Sequence, residues 1–205
     1  MAKNAKTFNE TASTGIGLLL WPFFAKPREN KGDNGQVKLE YECVMVFEKL
    51  EDYADISRLA ERAGEAVWGP DRNKWPKGWA SPLKKCNDKA IAGDNGDVFP
   101  PGMKADAMYI KAKSSFQPCV VDHNVKTIID ITKDVYSGCK GILSVNAYVY
   151  GGPGTPFKPG ISFGLRGFQK IEDGEPLGGR VDPSKEFKAY KKPGDTGDKA
   201  ASDLL

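Results

Sequence analysis

Met108-Tyr-Ile-Lys-Ala-Lys-Ser-Ser115 is the stretch on which the reading of this chain turns. Met108, Ile110 and Ala112 alternate with Tyr109, Lys111 and Lys113, and an extended strand sends successive side chains to opposite faces. One face is therefore apolar, while the other presents an aromatic ring followed by two ammonium groups. Solubility alone asks only for polar residues on an outer face. A ring beside two cations also suits a strip of stacked bases with phosphates alongside. The competing reading is a plain solvated strand that happens to be rich in lysine.

Working outward, residues 36–47 make the clearest strand. Val37, Leu39, Tyr41, Cys43, Met45 and Phe47 fall on one face and Lys38, Glu40 and Glu42 on the other. Val44 and Val46 make its far end apolar on both sides, as in a central strand. Residues 139–150 set Leu143, Val145, Ala147 and Val149 against Ser144, Asn146, Tyr148 and Tyr150. After the Gly151-Gly-Pro-Gly154 turn, residues 161–171 form a last strand with Arg166, Phe168 and Lys170 on one face. Residues 14–24 read as a first strand broken at Pro22, followed by a charged loop over 26–35. Between the early and late strands the period changes. Ile56, Leu59, Ala60, Ala63 and Val67 follow helical spacing, with Asp52 or Asp55 available as N-cap and Gly69-Pro70 as the stop.

Residues 71–97 form a long irregular stretch carrying Trp75, Trp79, Lys74, Lys77, Lys84 and Lys85. Loops of this length inside a compact domain are usually functional or mobile. Their tryptophans suit either base stacking or pinning of the loop to the core. The expected fold is mainly β, an OB-fold-like small β-barrel of about five strands with one helix and long insertions. A flexible arm over residues 1–13 precedes a domain spanning 14–187, and a flexible polar tail follows over 188–205.

Composition narrows the function classes. A chain of 205 residues, 40% hydrophobic, can bury one real core. Twenty-three glycines and 14 prolines favour many turns and short strands. The net charge of +3 excludes a histone-like polycation, so any nucleic-acid site must come from local segregation of charge. The four cysteines form no CxxC pair. Cys119 and His123 could make half a zinc site, but no second ligand pair supports it, and reduced thiols of a cytoplasmic protein are expected. Residues 16–25 are the most apolar run. They lack a compact basic start and a small-residue cleavage pattern, contain Pro22 and are too short to span a bilayer, so a buried strand is expected there and no membrane partner.

Enzyme motifs are weak. The chain has no GxSxG, HExxH or Walker A pattern, and the Gly-rich residues 151–160 open no helix. Asp122, Asp130, Asp134 and Asp173 suggest a metal-dependent nuclease only if the fold gathers them. A single histidine leaves little for acid–base chemistry. The residues that read as a nucleic-acid surface are Tyr109, Lys111, Lys113, Phe116, Tyr148, Tyr150, Arg166, Phe168 and Lys170, with Trp75 and Lys77 from the long loop. Ring and cation side chains on a β-surface are the working parts of sequence-tolerant single-strand binding. That reading needs no cofactor and no catalytic residue. A β-type structural or assembly protein remains a further alternative.

An ordered series of motifs adds to this. Tyr109-Ile-Lys-Ala-Lys-Ser-Ser-Phe116, Pro118-Cys-Val-Val-Asp122 and Asp134-Val-Tyr-Ser-Gly-Cys139 come first. Val145-Asn-Ala-Tyr-Val-Tyr150, Gly160-Ile-Ser-Phe-Gly-Leu165, Phe168-Gln-Lys-Ile-Glu-Asp-Gly-Glu175 and Leu177-Gly-Gly179 follow. With the upstream Gly93-Asp-Asn-Gly-Asp97 turn, they resemble the OB-fold single-stranded DNA-binding proteins of tailed phages, a family first catalogued as a domain of unknown function. The resemblance spans roughly residues 14–187. It implies single-strand binding in phage DNA replication, recombination and repair in the host cytoplasm, and replication or recombination proteins as partners of the C-terminal tail. Two features depart from the family. Gly17-Leu-Leu-Leu-Trp21 replaces a more polar first strand, so stacking there would fall to Trp21, Phe23 or Phe24. The tail is only mildly acidic, with Lys185, Lys188, Lys191 and Lys192 ahead of Asp195, Asp198 and Asp203.

Overall fold

The computed structural model describes residues 8–31, 35, 37–93, 96–152, 154, 155 and 157–177. In chain order they form β1 (Thr11–Ser13), β2 (Gly17–Lys31), β3 (Val37–Phe47), α1 (Ala54–Trp68), β4 (Leu83–Lys85), β5 (Ile91–Gly93) and β6 (Gly96–Val98). Then come β7 (Met108–Ser114), β8 (Cys119–Val121), α2 (Ile131–Asp134), β9 (Lys140–Tyr150) and β10 (Gly160–Glu172). Five strands close on themselves in the order β9, β2, β3, β7, β10, with β9–β10 pairing completing the ring. All neighbours run antiparallel except β7 and β10, which are parallel. This is an OB-fold-like barrel, as the sequence leads one to expect.

Alternation along each strand fills the barrel. Leu19, Met45, Ile110, Leu143, Val145 and Phe163 are fully buried inside it. Burial of each such side chain contributes about 1.5–3 kcal/mol. The amphipathic α1 packs against β1, β9 and β10 and buries Ile56, Leu59, Ala60 and Ala63 in the same core. Its N-cap is Tyr53, with no side-chain cap, rather than Asp52 or Asp55. Asp52 instead accepts the Gly15 N–H through its backbone oxygen at 2.7 Å, and Asp55 pairs with Arg58 in the first turn.

The long irregular stretch is pinned to the barrel. Trp68, Trp75 and Trp79 form a cluster with centroids 5.2–5.9 Å apart, and Trp75 Nε1 donates to the Gly69 carbonyl at 2.9 Å. The Trp75 ring lies where a Cβ on Gly64 would stand 2.3 Å from it, so it needs the helix backbone bare at that point. Trp75 is buried, and the pinning reading replaces base stacking for it. Farther on, β4 pairs with the outer edge of β7. Cys86, Met103 and Ala107 cover the outward faces of Leu20, Val44, Val46 and Tyr109 as a second small core. That cover is why Val44 and Val46 are apolar on their outward side.

Three further expectations change. β2 continues through Pro22 to Lys31, where a charged loop was expected. Its outer half pairs with β3 through polar partners such as Arg28 opposite Glu40 and Asn30 opposite Lys38, and these carry no hydrophobic signal. The last three residues of the expected N-terminal arm, Thr11–Ser13, are a strand held against β9, while residues 1–7 lie outside the described residues. Finally, a register shift between Leu165 and Gly167 turns Phe168 into the barrel. Its ring lies 5.6 Å from that of Phe24, so it is a core residue and not part of a stacking face. Phe168→Ala should therefore lower unfolding stability by about 3–5 kcal/mol. Phe116→Ala, at a ring 82% exposed, should change it by less than about 0.5 kcal/mol. Chemical denaturation of the two variants checks the assignment.

Candidate nucleic-acid interface

The barrel's outer face over β2, β3 and β7 is sealed at one end by the second core and open at the other. The open part is a cleft of about 560 Å³. Glu42 and Val44 of β3 and Lys111 and Lys113 of β7 line its floor, with Arg28 reaching in from β2. One wall is the inserted segment, which contributes Lys84 and Lys89, and Tyr150 of β9 lines the cleft where Ala80 of that segment bridges to Gly160, the cross-strand partner of Tyr150. Tyr150 and Tyr148 both project outward, 38% and 40% exposed. The Tyr150 ring lies across its cross-strand partner Gly160, where an added Cβ would meet it at 2.6 Å.

Trp21 completes the cleft. Strict alternation along β2 would send it into the barrel beside Leu19. Instead its backbone takes a left-handed conformation, φ 47°, at the break in register between Leu20 and Phe23. Its N–H donates to Ser137 Oγ at 2.8 Å. Such a conformation costs a bulky residue about 1–3 kcal/mol and persists only where surrounding contacts hold it. The result is a half-exposed indole lining the cleft.

At the floor, Glu42 is almost fully buried, yet four groups converge on it and its neighbour Glu40. Arg28 Nη1 lies 3.3 Å from Glu42 Oε1, and Lys111 Nζ lies 2.9 Å from Glu42 Oε2. Lys113 Nζ lies 2.9 Å from Glu40 and 3.8 Å from Glu42. Asn30 Nδ2 donates to both carboxylates, at 2.9 and 3.2 Å. Burial pushes the Glu42 carboxyl up. The hydrogen bond and charge of Lys111, the Asn30 hydrogen bond and the charge of Lys113 together outweigh it, and the net shift is downward. By contrast, Lys84 and Lys89 have no ion pair among the described residues.

Of the expected surface residues, the fold gathers Lys111, Lys113 and Tyr150 in the cleft, with Tyr148 on the same sheet face. Tyr109 reaches the cleft only from within the second core and is 5% exposed. Trp75 and Phe168 are buried. Lys170 is a strut: it donates to the Asp134 carbonyl and pairs with Asp173, both at 2.7 Å. Phe116, Lys77 and Arg166 are exposed but do not line the cleft. Trp21, Arg28, Lys84, Lys89 and Glu42 join the site. For the two lysines the composition of the loop was a signal. For Arg28 and Glu42, only knowledge of strand register would have served.

The four aspartates do not converge. Asp122 accepts backbone N–H groups of Asn124 and Lys126 in a turn, Asp130 caps α2, and Asp173 serves Lys170 and Tyr136. Among the described residues no group of three His, Cys, Asp or Glu side chains is placed to hold a metal ion. Cys119 is exposed, and His123 meets Asn124 at 2.8 Å. No described helix is long and apolar enough to cross a membrane.

Because the Glu42 carboxyl is held low in the folded state, its contribution to stability is complete above about pH 4.3, the ordinary glutamate value. The contribution is lost as pH falls through the lowered folded value. Thermal melts should show wild type and Glu42→Gln differing most at neutral pH and converging in acid. A difference that stays constant down to acid pH would contradict this.

Several known proteins share this architecture. The single-stranded DNA-binding protein of bacteriophage Enc34, solved in complex with ssDNA, superposes with a TM-score of 0.60 at 15% identity, covering 82% of this chain and 89% of that one. Another structure of the Enc34 protein gives a TM-score of 0.58 at 17% identity over 87% and 90% of the two chains. The single-stranded DNA-binding protein gp2.5 of bacteriophage T7 gives 0.57 at 14% identity over 90% and 99%. At such identities these likenesses speak for the fold. No curated protein matches by sequence. The sequence profile of one family matches residues 22–197, most of the barrel included. The chain thus belongs to the family described as Enterobacter phage Enc34, ssDNA-binding protein.

Proposed function

We propose that this protein binds single-stranded DNA without strong sequence preference and without cutting it, in phage DNA replication, recombination and repair in the host cytoplasm. The observation that carries the reading is the open cleft on the barrel face. It combines an indole and a phenol ring, Trp21 and Tyr150, with five cations, Arg28, Lys84, Lys89, Lys111 and Lys113. Unpaired bases offer free ring faces to such side chains, and the cations track the backbone. Family membership and the likeness to phage single-strand binders support the same reading. Tyr148 extends the surface along β9. The nuclease alternative would need Asp122, Asp130, Asp134 and Asp173 gathered at one point, and each of Asp122, Asp130 and Asp173 instead serves its own local partners.

The C-terminal tail, from residue 188 on, lies outside the described residues. Docking of replication or recombination proteins to it rests on the family resemblance alone.

In competition assays against a labelled oligothymidylate, single strands should displace the probe far better than duplex of matched length. Equal competition by the two would sink the reading. Tyr150→Ala should weaken binding by about 1–3 kcal/mol, the range for one base–ring stack, with little change in melting temperature. Binding isotherms of the variant and wild type, read beside their melts, check this.

A further inference from the structure

The cleft floor holds three cations and two carboxylates within one network: Arg28, Lys111 and Lys113 against Glu40 and Glu42. An interface selected only for phosphate affinity has no use for two glutamates beneath its cations. Neither is an accident of the surface, since the Glu42 side chain is 4% exposed and that of Glu40 23%. The cations are more open, with side chains 54%, 43% and 32% exposed for Arg28, Lys111 and Lys113. Each ammonium has three N–H donors and the guanidinium five, so contact with a carboxylate leaves donors directed outward.

Resting on the reading of the cleft as a single-strand site, we infer that Glu40 and Glu42 are its built-in counter-ions. They hold the floor cations in place from below and lower the charge that the cleft presents to a phosphate chain. The consequence follows from counter-ion release. Log affinity falls with log salt in proportion to the phosphates that protein charge neutralises, at about 0.7 per phosphate on a single strand. A lysine already balanced by a glutamate brings no net charge to its phosphate. Three floor cations over two carboxylates therefore act as one charge, while Lys84 and Lys89, which have no ion pair among the described residues, each act as a whole one. The arrangement separates geometry from charge. The phosphate path is defined by many donors, yet binding stays weaker and less salt-sensitive than their number implies, which suits a protein that must leave the strand when it is copied or paired.

The test is a salt titration of full-length protein against a fluorescently labelled oligothymidylate, read by anisotropy. Glu40→Gln sits at the rim of the network and keeps an acceptor for Lys113 and Asn30. It should steepen the slope of log affinity against log salt by about 0.7 and tighten binding at the lowest salt. Lys113→Met alone should flatten the slope by a similar amount. The double variant Glu40→Gln/Lys113→Met, which removes a cation and its carboxylate together, should return the wild-type slope. Glu42→Gln should act as Glu40→Gln does, and if it does not fold, the Glu40 series decides alone. An unchanged or flatter slope in Glu40→Gln, or a double variant as flat as Lys113→Met, would overturn the inference. Wild-type protein that fails to bind the oligonucleotide would instead overturn the functional reading on which it rests.

Discussion

Closing five strands into a ring takes one face of every strand out of water, and the rest of this molecule follows from that constraint. Inward positions must be apolar, which the alternation in β3, β7 and β9 satisfies. Outward positions of the central strands are then free for something else. Half of that outer face is covered by the inserted segment, and the other half is left as a cleft. The same pleat that sends Ile110 and Ala112 inward sends Tyr109, Lys111 and Lys113 outward. The border between cover and cleft falls within those three residues: Tyr109 lies under the cover and the lysines lie beyond it.

The site is built by departures from regularity as much as by regular strands. The left-handed turn at Trp21 ejects a large apolar side chain from a position that alternation would bury. The tryptophan cluster fixes the start of the segment whose later residues carry Lys84 and Lys89. Backbone bonds between Ala80 and the β10 entry then tie that wall to the barrel, with Ala80 N–H donating to Pro159 and Ile161 N–H to Ala80, at 2.9 and 3.0 Å. A wall so anchored presents its lysines at a set distance from the floor. Geometry of this kind limits the ordering that a ligand must impose on arrival.

Much of this was legible in the sequence because hydrophobic alternation is local. The ranges of β3, β7, β9 and β10, the helical spacing of α1 and its end at Gly69 are all consequences of residues within a few positions of one another. What escaped was set by distant partners. The outer half of β2 is strand because Arg28 and Asn30 find Glu40 and Glu42 across the pair, yet alone it reads as a charged loop. One extra residue at the β10 bulge inverts the parity of everything after Leu165, so Phe168 and Lys170 change from surface rings and charges to core and strut. Trp75 is buried because a bare helix backbone at Gly64 receives its ring. In sequence Glu42 is one more polar residue on an outer face, and only the β3–β7 register brings Lys111 and Lys113 to it.

On the proposed function, unpaired bases lie in the cleft beside Trp21. The protein has four tryptophans, and three of them, Trp68, Trp75 and Trp79, pack against one another and do not line the cleft, so Trp21 is a natural reporter. Tryptophan emission should be quenched as oligothymidylate is added, along the same isotherm as binding followed by anisotropy, and the quenching should vanish in Trp21→Phe while that variant still binds. Binding that leaves the emission of wild-type protein unchanged, or full quenching that persists in Trp21→Phe, would place the bases elsewhere and contradict the account.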